Sequence, residues 1–364
     1  MGKNWFEKSG PFEDVTWPKL HRVPTFAPDE PVYIIGEAGS SWRAGDPDHD
    51  MAMAMALIDV AAEAGCDAVK FQVFRPETTY APNAGSYRGK NVSALFADLA
   101  MPYEMIPLLA ARAAERNIAF MATPFSVRDA EAVDPYVAVH KIASYELNHR
   151  RLLERIARTG KPVILSTGAA EFSEILSALD LLRGAGVRTI CILQCTAQYP
   201  AACDALHLRV IPTFARLGVA AGLSDHSLDP LVGPLGAVAL GARCVEKHFT
   251  LSRRLPGPDH AHALEPDELR RMVNGIRAME SALGSAGKRF LPEEYELRCF
   301  AVRRLQSTRD IARGERLVEG ENFDALRPGQ NRQGGSPMRV HEVAGRAAAR
   351  DIHAGDGIEM EDLA

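Results

Sequence analysis

What this chain lacks narrows its class before any motif is read. No apolar run approaches the roughly 20 residues of a membrane span. The chain has no basic excess: 42 Lys and Arg against 47 Asp and Glu give a net charge of −5, the wrong sign for a nucleic-acid footprint. Cysteine is sparse, six in 364 residues at irregular spacings. Cys66, Cys191 and Cys244 fall inside predicted helix or strand runs, which suits reduced core thiols of a cytosolic protein. Residues 1–31, rich in Pro, Trp and charge, hold no signal-peptide core. The expectation is a cytoplasmic protein with neither nucleic acid nor membrane as partner.

What is present is a rhythm. Eight short apolar runs each end in a polar or charged residue, and a helix-like stretch follows. Val32–Ile35 leads to Glu37, and Ala68–Val73 carries Lys70 and Gln72. Ile118–Ala122 leads to Thr123; Val137–Ile142 carries Lys141 and leads to Ser144; Val163–Leu165 leads to Ser166. Ile190–Leu193 leads to Gln194, Cys195 and Thr196, and Val219–Leu223 leads to Ser224, Asp225 and His226. Cys244–Val245 leads to Glu246, Lys247 and His248. Eight such units predict an α/β fold, a (β/α)8 TIM barrel, whose active site gathers at the C-terminal ends of its strands.

Among the helical stretches, Met51–Ala64 has Asp50 as its expected N-cap, and Glu171–Arg183, Pro230–Leu240 and Pro266–Leu283 follow the same logic. The long segment Pro76–Met101 is read as a lid or dimer element. A barrel takes roughly 250 residues, so a second small domain is expected. The reading is an arm over 1–31, the barrel over 32–284, a linker over 285–299 and a β-rich domain over 300–364. That last segment contains an echo. Arg309-Asp310-Ile311 and Gly314-Glu315 are repeated as Arg350-Asp351-Ile352 and Gly355-Asp356, which predicts a compact pseudo-symmetric β fold.

The strand ends carry the chemistry. His226 and His248 end neighbouring strands, where two imidazoles can share one divalent ion and leave positions open for water and substrate. An oxygen-rich remainder favours Mn²⁺ first, with Mg²⁺ or Co²⁺ as alternatives. A lone histidine would more often only bond a loop. Lys70 and Lys141 interrupt apolar strands, where an unpartnered ammonium is costly. With Thr123, Ser144, Ser166 and Ser224 they resemble a cage for a phosphate and a carboxylate; snorkelling to solvent is the alternative. Glu37 reads equally as a proton-transfer group or a surface acid. Tyr199 reads equally as a stacking residue or core. The charged loop Leu251–Pro266, with Asp259, His260 and His262, reads equally as site or solvated connection.

These motifs resemble the sialic acid synthase family. The matching segments are Ile34-Ile35-Gly36-Glu37-Ala38-Gly39, Asp67-Ala68-Val69-Lys70-Phe71-Gln72, Ala122-Thr123-Pro124-Phe125, Lys141-Ile142-Ala143-Ser144 and Leu165-Ser166-Thr167-Gly168. They continue through Cys195-Thr196, Tyr199-Pro200, Leu223-Ser224-Asp225-His226, Glu246-Lys247-His248-Phe249-Thr250 and Gly257-Pro258-Asp259, and Arg327-Pro328-Gly329 is similar to the family's antifreeze-like (SAF) tail. The resemblance implies condensation of phosphoenolpyruvate with an N-acetylated sugar. Lys70, Lys141, Ser144 and Ser166 would hold phosphoenolpyruvate, with Thr123, Ser224 and Lys247 among the substrate-binding residues. His226 and His248 would hold the metal. Glu37, Gln72, Tyr199 and Asp259 would contact sugar or water. Arg327 would arrive from the tail of the other subunit of a domain-swapped homodimer.

Three departures from the family pattern are expected to lie on the sugar side: Ser41-Trp42 after the first strand, Ala197 after Cys-Thr, and the longer segment 330–335. They suggest an altered acceptor, such as a 2,4-diacetamido-6-deoxy sugar in place of N-acetylmannosamine. Two rival readings are a metal-dependent pyruvate aldolase or lyase on the same barrel, and a non-catalytic sugar-binding protein.

Overall fold

The structure, a computed structural model, describes residues 23–87 and 89–364. Most of the expected arm therefore lies outside the described residues. The chain divides into two compact units, the first ending at Gly284 and the second running from Ser285 to Ala364.

The first unit is built on eight strands: β1 Tyr33–Gly39, β2 Ala68–Val73, β3 Ala119–Pro124, β4 His140–Ile142, β5 Val163–Ser166, β6 Ile190–Cys195, β7 Ala220–Asp225 and β8 Cys244–His248. They lie in the spatial order β3-β2-β1-β8-β7-β6-β5-β4, and every ladder between them is parallel. β3 and β4 lie side by side across the remaining seam, so the barrel is nearly closed.

Successive strand residues point to opposite faces, and the packing clusters follow that parity. Tyr33, Ile35, Ala68, Ala119, Met121, Val139, Ile164, Cys191, Leu193 and Cys244 form one cluster, an apolar plug inside the barrel. Alternate residues such as Ile34, Val69, Phe71, Leu165, Ile192, Leu223 and Val245 pack outward in the clusters shared with the helices. Gly222 belongs to the crowded interior. A Cβ there would stand 2.2 Å from the Cys244 carbonyl oxygen and 2.6 Å from Leu193 Cδ2.

The strands run one to three residues past most of the apolar runs that announced them. Apolar patterning stops at the first polar side chain, whereas the ladder continues because that side chain turns inward above the plug. The helix expected from Met51 starts at Pro47. Its N-cap is Asp46, whose side chain accepts from His49 N at 3.1 Å, not Asp50. Pro47 has no N–H to lose at the first helical position, and Asp50 is buried instead, accepting from Ala44 N at 2.6 Å and Gly45 N at 3.0 Å. The helices Phe172–Gly184 and Pro266–Leu283 both start with capping boxes, from Glu171 and Glu265. Pro76–Met101 holds two short helices, Pro76–Thr79 and Val92–Leu99, and a small antiparallel pair between them. Phe96 ties it down, its ring 5.2 Å from Phe74 and 4.6 Å from Tyr80.

In the second unit a short helix, Tyr295–Ala301, begins inside the expected linker and runs two residues past its end. Beyond it β9 Arg304–Ser307 pairs antiparallel with β10 Phe323–Leu326. The core is Leu305, Ile311, Leu317, Phe323, Val343, Ala348, Ile352, Ile358 and Leu363. The sequence echo is a structural one. Ile311 N donates to Ile352 O at 2.8 Å, and Ile352 N returns the bond to Ile311 O at 2.9 Å. Asp351 accepts from Arg313 N at 2.8 Å while Asp310 accepts from Ala354 N, also at 2.8 Å. Each half-repeat thus caps the turn of the other.

Candidate functional site

Carrying the interior parity to the strand ends places Glu37, Lys70, Thr123, Lys141, Ser166, Ser224, Glu246 and His248 above the plug. All are buried. Lys70 Nζ lies 2.5 Å from Glu37 Oε2 and 3.7 Å from Glu246 Oε1, and donates to Thr123 Oγ1 at 2.9 Å. Gln72 Nε2 donates to the other Glu37 oxygen at 3.0 Å. Lys141 Nζ donates to Ser166 Oγ at 2.6 Å and Ile142 O at 3.1 Å, with Glu246 Oε2 at 3.8 Å. Ser224 Oγ donates to Glu246 Oε1 at 3.2 Å.

The two lysines are not equivalent. Burial disfavours the charge on both. At Lys70 the Glu246 and Glu37 carboxylates outweigh it and hold the ammonium above the usual lysine range. At Lys141 burial wins over the more distant Glu246, and its pKa falls. Burial raises the Glu37 carboxyl against the pull of Lys70, with Glu246 adding to the rise. Glu246 is held low: burial opposes its charge, but Lys141 and Lys70 flank it. The mouth therefore carries two ammonium groups balanced by two carboxylates. Lys141, hydrogen-bonded among the described residues to Ser166 and the Ile142 carbonyl alone, is the cation readiest to take a new anion.

Ser144 borders the same mouth. Its hydroxyl accepts from Gly168 N at 2.9 Å and donates to Cys195 Sγ at 3.5 Å. A Cβ on Gly168 would stand 2.9 Å from that sulfur and 3.2 Å from Ala197 Cβ. Ala197 thus lies close to Ser144 and Cys195. Trp42 is buried among the strand–helix core residues. Segment 330–335 is woven into the second unit, with Arg332 paired to Asp362 at 2.8 Å and Gln333 donating to Cys299 O at 2.9 Å.

The imidazoles of His226 and His248 have ring centroids 5.4 Å apart. Tyr199 stacks on His226 at 4.2 Å, and His262 stands 5.2 Å from both Tyr199 and His248. His226 Nδ1 meets the Thr196 carbonyl at 2.8 Å, which makes Nδ1 the donor and leaves the Nε2 lone pair for a ligand. His248 Nδ1 is buried without a hydrogen-bond partner among the described residues. Burial and the neighbouring His226 push its pKa well down, so it is neutral. Asp259 accepts from Ser40 N at 2.7 Å, beside Gly39, where a Cβ would meet it at 2.3 Å. Two imidazole nitrogens on adjacent strands, the Nε2 of His226 and a nitrogen of neutral His248, suit a shared divalent ion. Among the described residues no group of three or more His, Cys, Asp and Glu is arranged to hold one, so two is what the protein offers.

One expected residue of the barrel is not brought into this set. Lys247 has the opposite parity, and its ammonium is committed to Asp225, Ser227 and Asp229 on the outer face. Arg327 lies in the second unit, exposed, directly after β10. The residue that motif reading missed is Glu246. The signal was available: it shares a strand with His248 at i, i+2 and so shares its face.

Parallel strands in barrel order, with polar groups crowded at their C-terminal ends, define a (β/α)8-barrel protein carrying a small β-rich unit. The chain belongs to the NeuB family, which it matches over residues 57–288, and residues 302–364 match the SAF domain. This bears out the resemblance read from the motifs. The chain is 41% identical to the spore coat polysaccharide biosynthesis protein SpsE of Bacillus subtilis, over 93% of this chain and 95% of that one. The crystal structure of that protein superposes with a TM-score of 0.62 at 38% identity, covering 92% and 96% of the two chains. A pseudaminic acid synthase of Campylobacter jejuni is 31% identical over 94% of this chain and 99% of its own. An N,N'-diacetyllegionaminic acid synthase of the same organism is 34% identical over 87% and 96%. No helix among the described residues is long and apolar enough to cross a membrane.

Proposed function

We propose that this protein condenses phosphoenolpyruvate with an open-chain N-acetylated sugar and water, giving a nonulosonic acid and inorganic phosphate. The observation that carries the reading is the convergence of buried Lys70 and Lys141 with His226 and His248 at one barrel mouth. An enol phosphate brings a carboxylate and a phosphate, and the mouth has two ammonium groups with hydroxyl donors between them. Lys141, Ser144 and Ser166 take one anionic end, and Lys70 with Thr123 takes the other; Ser224 orients Glu246 between them.

C3 of phosphoenolpyruvate adds to the sugar's aldehyde carbon, and the aldehyde oxygen takes up a proton. Water adds to C2 and loses a proton. The C2–O bond to phosphate then breaks, phosphate leaves with the proton given up by the C2 hydroxyl, and a ketone remains. Glu37, hydrogen-bonded to Gln72 and Lys70, accepts or returns the water's proton. Tyr199 and Asp259 border the sugar. His226 and His248 hold the divalent ion, Mn²⁺ in the first place. A bound ion of this kind supplies Lewis-acid polarisation of the aldehyde oxygen. Arg327 is contributed by a second copy of the chain in a domain-swapped homodimer, where it meets the acyl group.

The acceptor is a 2,4-diacetamido-6-deoxy sugar. The kinship to a pseudaminic acid synthase and an N,N'-diacetyllegionaminic acid synthase supports this choice over N-acetylmannosamine. The test is phosphate release from phosphoenolpyruvate across a panel of acetamido sugars. A higher kcat/KM for N-acetylmannosamine than for every diacetamido sugar would overturn the acceptor. Release with no sugar in the panel would overturn the reaction.

A further inference from the structure

On the outer face of the barrel, directly behind the two imidazoles, Asp225 and Lys247 face each other as cross-strand neighbours of β7 and β8. Their side chains are 0% and 1% exposed, and Lys247 Nζ lies 2.7 Å from Asp225 Oδ2. Each is the chain neighbour of one imidazole: Asp225 precedes His226, and Lys247 precedes His248. The ammonium also donates to Ser227 O at 2.5 Å and Asp229 O at 3.0 Å. Asp225 accepts from Ser227 N at 2.8 Å and Ser227 Oγ at 3.1 Å. His226 is therefore clamped on both sides of its Cα. Asp229 continues the chain of contacts, accepting from Leu231 N at 2.7 Å and Val232 N at 2.8 Å at the start of helix Val232–Ala239. That helix closes on the pair, since a Cβ on Gly233 would come 2.5 Å from Asp225 Oδ2.

A buried ion pair adds little net stability over an apolar pair of the same size, so stability alone is a weak account of this one. Its geometry offers another. The two strand ends that carry the imidazoles, paired through the backbone and through Ser224 and Glu246, are tied last and nearest the imidazoles by this ion pair, and the backbone after His226 is tied to the same ammonium.

We propose that the Asp225–Lys247 pair is a positioning device that holds His226 and His248 at the spacing a single divalent ion can bridge. This rests on the reading of those two imidazoles as the metal ligands. Neither Asp225 nor Lys247 touches the reacting atoms. They act through the backbone that presents the ligands, as outer-shell groups do in other metal sites.

The test is a Mn²⁺ titration of the substrate-free protein, with free ion read from its EPR signal and the melting temperature recorded beside it. His226→Ala, predicted to abolish tight binding, checks the underlying reading. In the paired variant Asp225→Leu/Lys247→Met, which leaves no buried charge unpaired, the Kd for Mn²⁺ rises roughly 10- to 100-fold, the range of outer-shell substitutions. If the paired variant does not fold, Asp225→Glu decides. It keeps the charge and shifts the carboxylate by one methylene, and it raises the Kd several-fold. A folded paired variant, or failing that Asp225→Glu, with the wild-type Kd but a lower melting temperature overturns the proposal and leaves the metal reading standing. A His226→Ala protein that binds Mn²⁺ as tightly as wild type overturns both.

Discussion

Lys70 and Glu37 form an ion pair of 2.5 Å with side chains only 4% and 1% exposed. Burial makes each charge lean on its partner, with Glu246 as a second carboxylate near Lys70 at 3.7 Å. Removing one partner of a buried pair costs about 3–5 kcal/mol because the survivor stays uncompensated. Lys70→Met is therefore expected to lower the urea-unfolding free energy by about that amount and to abolish turnover. The double variant Glu37→Gln/Lys70→Met recovers much of the stability and none of the activity. Chemical denaturation of the set checks this, and equal stability of single and double variants would contradict it.

Glu146, at the end of the short turn that follows β4, is buried, and burial pushes its carboxyl up to about 7 against the pull of Lys141. The folded protein thus binds this proton more tightly than the unfolded chain, whose glutamate pKa is near 4.3. Its contribution is full below the unfolded value and is lost as the pH rises through about 7. Glu146→Gln is expected to be more stable than wild type at pH 8, by on the order of 3–4 kcal/mol, and to show no such gain at pH 4. Melting temperatures across that range measure the difference. A gain that does not vary with pH would contradict the assignment.

Chelation is predicted to abolish phosphoenolpyruvate-dependent turnover, and Mn²⁺ to restore it. The protein offers two imidazoles, of which His248 is neutral; an ion held there would rely on substrate and water for its remaining ligands and so would exchange. His226→Ala and His248→Ala are each expected to lower kcat by at least about 100-fold, the scale of losing one electrophilic group. Undiminished turnover after exhaustive chelation would remove the metal from the reaction.

Mixing inactive His226→Ala with inactive Arg327→Ala is expected to regain activity through hybrid dimers, one site of which combines an intact barrel with an intact tail. No recovery after demonstrated subunit exchange would mean that Arg327 acts within its own chain or not at all.

The barrel was legible because its strands are apolar runs bounded by polar residues, and the small unit because its half-repeats echo each other. The ends of elements were less so. Asp50 looked like a cap because it precedes an apolar run, yet Pro47 sets the helix start and Asp50 is drawn inward by two backbone amides. In the site, motif position grouped Glu246, Lys247 and His248 together, whereas strand parity separates them. Glu246 turns in to the two lysines, and Lys247 turns out to Asp225. The balance of two ammonium groups by two carboxylates was not legible, because it depends on register between strands far apart in sequence. The burial of Trp42 likewise depends on which face of the loop after β1 meets the helices.

The most direct measurement is phosphate release on mixing the metal-loaded protein with phosphoenolpyruvate and an open-chain acetamido sugar. The account predicts one phosphate per sugar consumed, with no release when either substrate is omitted and none from Lys141→Ala at micromolar phosphoenolpyruvate. Product formation from pyruvate in place of phosphoenolpyruvate, without phosphate release, would contradict it.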